Sequence, residues 1–100
     1  IGLCIDIGHV QRIGEDPATM LERYKDRLYD MHMKDVIKNS TTDTPVEIGR
    51  GMIDIPKVIR TLKKINYKET VAIEFEKDDK DPMPGLAESV GYIKGVIRSV

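Results

Sequence analysis

The chain is 100 residues long, 40% hydrophobic and 33% charged, with 16 basic and 17 acidic side chains and a net charge of −1. That balance fits a globular chain rather than a disordered or fibrous one, and it supplies no broad basic field for nucleic acid or an acidic membrane. No apolar run approaches the ~20 residues that span a bilayer, and a single cysteine, Cys4, excludes an internal disulfide.

Ile1 to Ile7 is a nearly continuous apolar run, which predicts a strand buried on both faces. Cys4 lies inside that run and is expected to be a buried small hydrophobe. The chain opens at Ile1 within the run and without a methionine. Its native N-terminus is therefore expected upstream, no targeting segment is readable, and a cytoplasmic location is the default.

Asp16-Pro17 has the form of an N-cap followed by proline in the first helical turn. Leu21, Tyr24 and Leu28 follow at helical spacing, with Glu22, Arg23, Lys25 and Asp26 turned outwards. A second strand is predicted over Leu28 to Val36, then a polar loop from Lys38 to Pro45. Asp54-Ile55-Pro56 reads as another helix start, with Val58, Ile59, Leu62 and Ile65 as the buried stripe up to Asn66.

Thr70 to Glu76 is rich in β-branched and aromatic residues and predicts a third strand. Lys77 to Asp81 and Pro82-Met83-Pro84-Gly85 form a loop, and a last helix runs from about Leu86. Val90, Ile93 and Ile97 would be its buried face, with Gly91 and Gly95 allowing close packing on a neighbour. The order β-α-β-α-β-α, with long crossovers, predicts parallel strands, right-handed connections and outer helices in one unit, 1–100, with no internal boundary.

In such a sheet, functional groups collect at the carboxyl ends of the strands. Parity puts Cys4 with Asp6 on one side of the first strand, His32 with Lys34 on one side of the second, and Ala72, Glu74 and Glu76 on one side of the third. If those faces coincide, Asp6, His32 and Glu74 stand at similar heights on adjacent strands. One imidazole and two carboxylates suit Mn²⁺, Co²⁺, Mg²⁺, Fe²⁺ or Zn²⁺ without choosing among them. A divalent metal there would bind a sugar's carbonyl and neighbouring hydroxyl and stabilise an enediolate, easing proton removal by several kcal/mol.

Each residue also has an ordinary reading. A carboxylate at a strand end usually caps a helix or pairs with Lys or Arg; it is the occurrence of one donor per βα unit that points to a metal. Glu76 is an alternative third-strand ligand. His9 lies beyond Asp6 as a second ligand, a donor to substrate, or a plain loop histidine. Lys34 would hold a substrate oxygen or pair with Asp35 or Glu74. Gly49-Arg50-Gly51 presents an Arg suited to phosphate, carboxylate or hydroxyl groups, or is simple turn chemistry. Without a third glycine it is no dinucleotide fingerprint. Arg12 is expected to be solvated or ion-paired.

The ordered set Asp6-x-Gly8-His9, His32-x-Lys34-Asp35, Gly49-x-Gly51-x-Ile53-Asp54-x-Pro56 and Ile73-Glu74 resembles the xylose isomerase-like (β/α)8 barrels, specifically the sugar phosphate isomerase/epimerase group. The resemblance covers essentially the whole chain and corresponds to the last three βα units, the C-terminal portion of a TIM barrel. It implies metal ligation by Asp6, His32 and Glu74, acid/base work by Glu74, and a catalytic and substrate-touching role for His9. Lys34 and Arg50 follow more weakly as substrate-binding residues. The family's further metal-binding Glu comes from a strand before Ile1. The resemblance therefore implies a part that is catalytically incomplete by itself, whose partners are the N-terminal part of the barrel and a small sugar or keto-sugar. A homo-oligomer is compatible with it.

The expected function is a metal-dependent sugar, keto-sugar or sugar phosphate isomerase or epimerase. A keto-sugar or inosose dehydratase is the alternative on the same site, because proton abstraction beside a carbonyl begins both reactions. Apurinic-site endonucleases share the fold with a zinc cluster, but they need an Asp-x-His pair. Here Asp43 is followed by Pro45 where the His would stand. A non-catalytic half-barrel module is the remaining alternative.

Overall fold

The computed structural model describes residues 2–37, 45–78 and 80–100. Strands β1 (Leu3–Asp6), β2 (Leu28–Met33) and β5 (Thr70–Ile73) form a parallel sheet in the order β1-β2-β5. Helices α1 (Ile7–Arg12), α2 (Pro17–Arg23), α3 (Ile55–Lys64) and α4 (Met83–Ser99) fill the connections, and a two-residue pair, β3 (Asp35–Val36) with β4 (Pro45–Val46), is antiparallel. This is the parallel βα plan of a partial α/β barrel. Residues 38–44 of the polar loop expected from Lys38 to Pro45, and with them Asp43, lie outside the described residues, whereas Pro45 is not in a loop but begins β4.

Register and alternation decide which face does what. Ile5 pairs with Met31 and Met31 with Val71, and Ile5 and Met31 are buried. Their side of the sheet is covered by Leu21 of α2, Val58, Ile59 and Leu62 of α3, and Ile93 and Val96 of α4. Full burial of a side chain such as Met31 or Leu21 contributes about 1.5–3 kcal/mol. The opposite side carries Cys4, Asp6, Asp30 and His32 and is only partly covered.

Several boundaries differ from the sequence expectation. β1 ends at Asp6, because Asp6 turns the chain straight into α1, its carboxylate accepting from the His9 N–H at 3.0 Å. Cys4 is exposed, not buried: it lies on the side of the sheet that the helices leave open. β2 stops at Met33, and Asp35–Val36 leaves the sheet to pair with Pro45–Val46. Tyr24 ends α2 as an exposed residue, and a 3₁₀ turn over Lys25–Arg27 leads into β2.

The start of α3 is as expected, with Asp54 accepting from Lys57 N–H, and Asn66 with positive φ follows its end. α4 begins at Met83, inside the predicted loop, and buries Gly85, Ser89, Ile93 and Val96. Ile97 is exposed instead, and a Cβ at Gly91 or Gly95 would meet nothing within 4 Å. Those two glycines therefore do not mediate close packing. No helix among the described residues is long and apolar enough to cross a membrane.

Candidate metal centre at the strand ends

Three strand ends converge. Asp6 pairs in register with His32, His32 with Ala72, and Glu74 N–H donates to Met33 C=O at 3.0 Å, extending the ladder one step past β5. One ligand atom each from Asp6, His32 and Glu74 lies within 4.8 Å of the others. His32 Nδ1 is 2.9 Å from Glu74 Oε1 and 3.9 Å from Asp6 Oδ2. Cis donors around an octahedral ion with ~2.1 Å bonds stand about 3 Å apart, so the trio fits a divalent cation with small side-chain adjustment.

Asp6 divides its two oxygens between structure and site. Oδ1 caps α1, while Oδ2 faces His32 and lies 4.0 Å from Lys34 Nζ. The cap thus aims Oδ2 at the cluster. His9, at the third position of α1, is 62% exposed, with Nε2 3.8 Å from Asp6 Oδ2 and Nδ1 3.3 Å from Arg12 Nη1.

Lys34 is the buried cation of this corner, 1% exposed, with Nζ paired to Glu76 and 3.5 Å from Glu74 Oε2. Its aliphatic stem passes over Gly8, where a Cβ would come within 2.5 Å of Lys34 Cδ. The Asp35 pairing considered for Lys34 does not occur among its ion pairs. Glu76 serves Lys34, which leaves Glu74 as the carboxylate beside His32.

Asp35 has a different task, which sequence reasoning missed. Its buried carboxylate accepts from the N–H groups of Val36, Gly49, Gly51 and Ile53 at 2.9–3.2 Å. Burial pushes the Asp35 carboxyl up from its ordinary value, while those four backbone bonds pull the other way. Gly51 is required there, since a Cβ would lie 2.1 Å from Asp35 Oδ1. The available signal was the Gly-x-Gly run itself: two N–H groups two residues apart, converging on one acceptor.

Arg50 is not brought into the cluster. Its guanidinium is bidentate to Glu88 of α4, at 2.6 Å for both contacts, and 4.0 Å from Glu47. Glu47 also accepts from Lys77 at 2.8 Å, and that hydrogen bond holds its carboxyl below the ordinary value. Beneath the trio, Cys4 and Asp30 share the open face with His32. Partial desolvation by the neighbouring strand first, and then the carboxylates of Asp30, Asp6 and Glu74, push the exposed Cys4 thiol up.

Comparison with known proteins bears on the family and the fold. Residues 1–96 match the family model described as xylose isomerase-like TIM barrel. An inosose dehydratase of Lacticaseibacillus casei is 29% identical over 102 residues, covering 84% of this chain and 33% of the relative. A crystal structure of IOLI protein with a bound zinc atom superposes with a TM-score of 0.77 at 20% identity, covering 98% of this chain and 38% of that one. An L-ribulose 3-epimerase does so at 0.76 and 16% identity, covering 99% and 37%. The chain spans about a third of the length of the curated relatives it matches.

Proposed function

The chain belongs to the xylose isomerase-like TIM barrel family, and on that footing we propose that it supplies the C-terminal strands and most of the metal site of a sugar or keto-sugar isomerase or epimerase. The observation that carries this reading is the convergence of Asp6, His32 and Glu74 donor atoms within 4.8 Å. A divalent ion bound there supplies Lewis acidity to a carbonyl and its neighbouring hydroxyl. Neither the donor set nor the spacing selects among Mn²⁺, Co²⁺, Mg²⁺ and Zn²⁺.

The remaining chemistry belongs to the chain's own groups. Glu74 has one oxygen beside His32 and the other facing Lys34; it is the group assigned to move the proton at the carbon next to the carbonyl. Lys34, buried and paired, balances Asp6, Glu74 and Glu76 and is better suited to setting the charge of the cluster than to contacting substrate. His9, exposed at the rim, is assigned to a substrate hydroxyl. Arg50, held by Glu88, is better suited to positioning its loop than to contacting substrate.

A second reading has its own support. The curated relative from Lacticaseibacillus casei, and others of similar identity, are inosose dehydratases. The same proton abstraction followed by loss of a β-oxygen would make the parent enzyme a keto-inositol or keto-sugar dehydratase. Product analysis by NMR in D₂O separates the two. An isomerase or epimerase returns an isomer carrying deuterium at the exchanged carbon, whereas a dehydratase returns an unsaturated or diketo product. In the full-length protein, His32→Ala is expected to lose bound metal and metal-dependent turnover. Unchanged activity with wild-type metal content would remove His32 from the site and end both readings.

A further inference from the structure

Lys34 is a cation enclosed at the corner where the strand ends meet, 1% exposed. The groups that enclose it belong to this chain, so its surroundings do not depend on what covers the sheet edges. Its ammonium pairs with Glu76 and stands 3.5 Å from Glu74 Oε2 and 4.0 Å from Asp6 Oδ2. The stem reaches them by passing over Gly8, where a Cβ would come within 2.5 Å of Lys34 Cδ and 2.7 Å of Cγ. Gly8 lies inside α1 and not at positive φ, so it is chiefly this stem that excludes a side chain there.

The ammonium therefore sits against two of the three groups that converge at the strand ends. Glu74 presents Oε1 to His32 and Oε2 to Lys34, and Asp6 Oδ2 faces both His32 and Lys34. With bonds of ~2.1 Å, an ion on Asp6 Oδ2 would lie no more than about 6 Å from the ammonium nitrogen. One positive charge is thus built in beside a place for another.

That charge has two opposing effects on metal binding. By holding Glu74 and Asp6 in place it favours binding, because a carboxylate already ordered need not be immobilised again. Freeing one such side chain would weaken binding by roughly 2–10-fold. Repulsion between the ammonium and a divalent ion works the other way. At about 6 Å it amounts to about tenfold even at the dielectric of water, and to more in a partly buried site. The repulsion is the larger effect.

Resting on the reading of Asp6, His32 and Glu74 as a metal centre, we propose that Lys34 is a positioning residue that limits how tightly this centre holds its cation. It acts through the two carboxylates and not on substrate. Carboxylates that share their charge with an ammonium neutralise a bound ion less completely, so the ion keeps more of its charge for a substrate oxygen. Repulsion depends on charge and not on the element, so Lys34 loosens all divalent ions alike. Glu76 is the counterweight, offsetting part of the ammonium's charge from outside the donor trio.

The test is titration of the full-length protein with Mn²⁺ alone, with free Mn²⁺ read by electron paramagnetic resonance. Lys34→Met removes the charge, keeps an apolar stem, and is expected to bind Mn²⁺ about tenfold or more tighter than wild type. Glu76→Gln leaves the ammonium less compensated and is expected to weaken binding by about 3–10-fold. Tighter binding is the telling sign, since damaged packing or a lost tether weakens a metal site. Equal or weaker binding by Lys34→Met overturns the proposal. Should that variant not fold, Glu76→Gln decides, and unchanged or tighter binding there overturns it. No Mn²⁺ binding by wild type removes the metal centre and this role together. Binding by wild type with no shift in the variants leaves the centre standing and removes only the role of Lys34.

Discussion

At the residue scale, the donors that can hold a cation were readable from alternation alone. Asp6, His32 and Glu74 each sit where an apolar run ends, and parallel register brings them together. Asp35 was not readable in that way, because its partners are backbone N–H groups spread from Val36 to Ile53. Nothing in a side-chain pattern announces such a partner. Asp35→Ala would strand these donors, and at about 1–3 kcal/mol for each buried donor left unsatisfied, a loss of 3 kcal/mol or more is expected. Asp35→Asn, which keeps one acceptor oxygen, should lose less. Urea unfolding of the two variants checks this; a cost below about 0.5 kcal/mol for the alanine variant, the level of an ordinary surface change, would show that the loop does not depend on Asp35.

At the scale of elements, helix starts with a capping carboxylate were legible at α2 and α3, where Asp16 and Asp54 are each followed by an early proline. The cap at α1 was hidden because Asp6 is both the last strand residue and the N-cap, with no loop between. The face of α4 was only partly legible: Ile93 is buried as expected, but Gly85 and Ser89 share its buried stripe and Val96 takes the place expected for Ile97. Ser89 donates to Gly85 C=O and accepts from Ile48 N–H, so a polar residue sits in the core with its bonds met.

Asp16 also sets a pH dependence. Its carboxyl is held below the ordinary value of 3.8, first by the Thr19 hydroxyl and also by Lys57 and the Thr19 N–H. A lowered folded-state pKa means that the unfolded chain binds this proton more readily. The stabilisation is therefore complete above 3.8 and is lost as pH falls through the folded-state value. Asp16→Asn is expected to flatten part of the stability decline between about pH 5 and pH 2, measured by denaturant unfolding across that range. An acid limb identical to wild type would mean that the Thr19 and Lys57 contacts carry no net stability.

For the whole molecule, the consequence lies in what the sheet leaves uncovered. Among the described residues, β1 and β5 each have a strand on one side only, and the face bearing Cys4, Asp30 and His32 is partly open. Unpaired parallel edges invite pairing with other chains. Residues 1–100 produced alone are expected to self-associate at micromolar concentration, as seen by light scattering. A clean monomer that stays dispersed would show that these edges are protected within the chain itself.

The sequence alone determined the βα order, the strand parity and the three donors at the strand ends, because these depend on periodicity and on residue type. Only the tertiary structure decided which carboxylate Lys34 takes, that Arg50 is committed to Glu88, that Asp35 ties down the Gly49–Ile53 loop, and that Cys4 and Asp30 stand open beneath His32. Those outcomes depend on contacts between residues far apart in the chain, where distance and burial choose among partners that composition leaves equivalent.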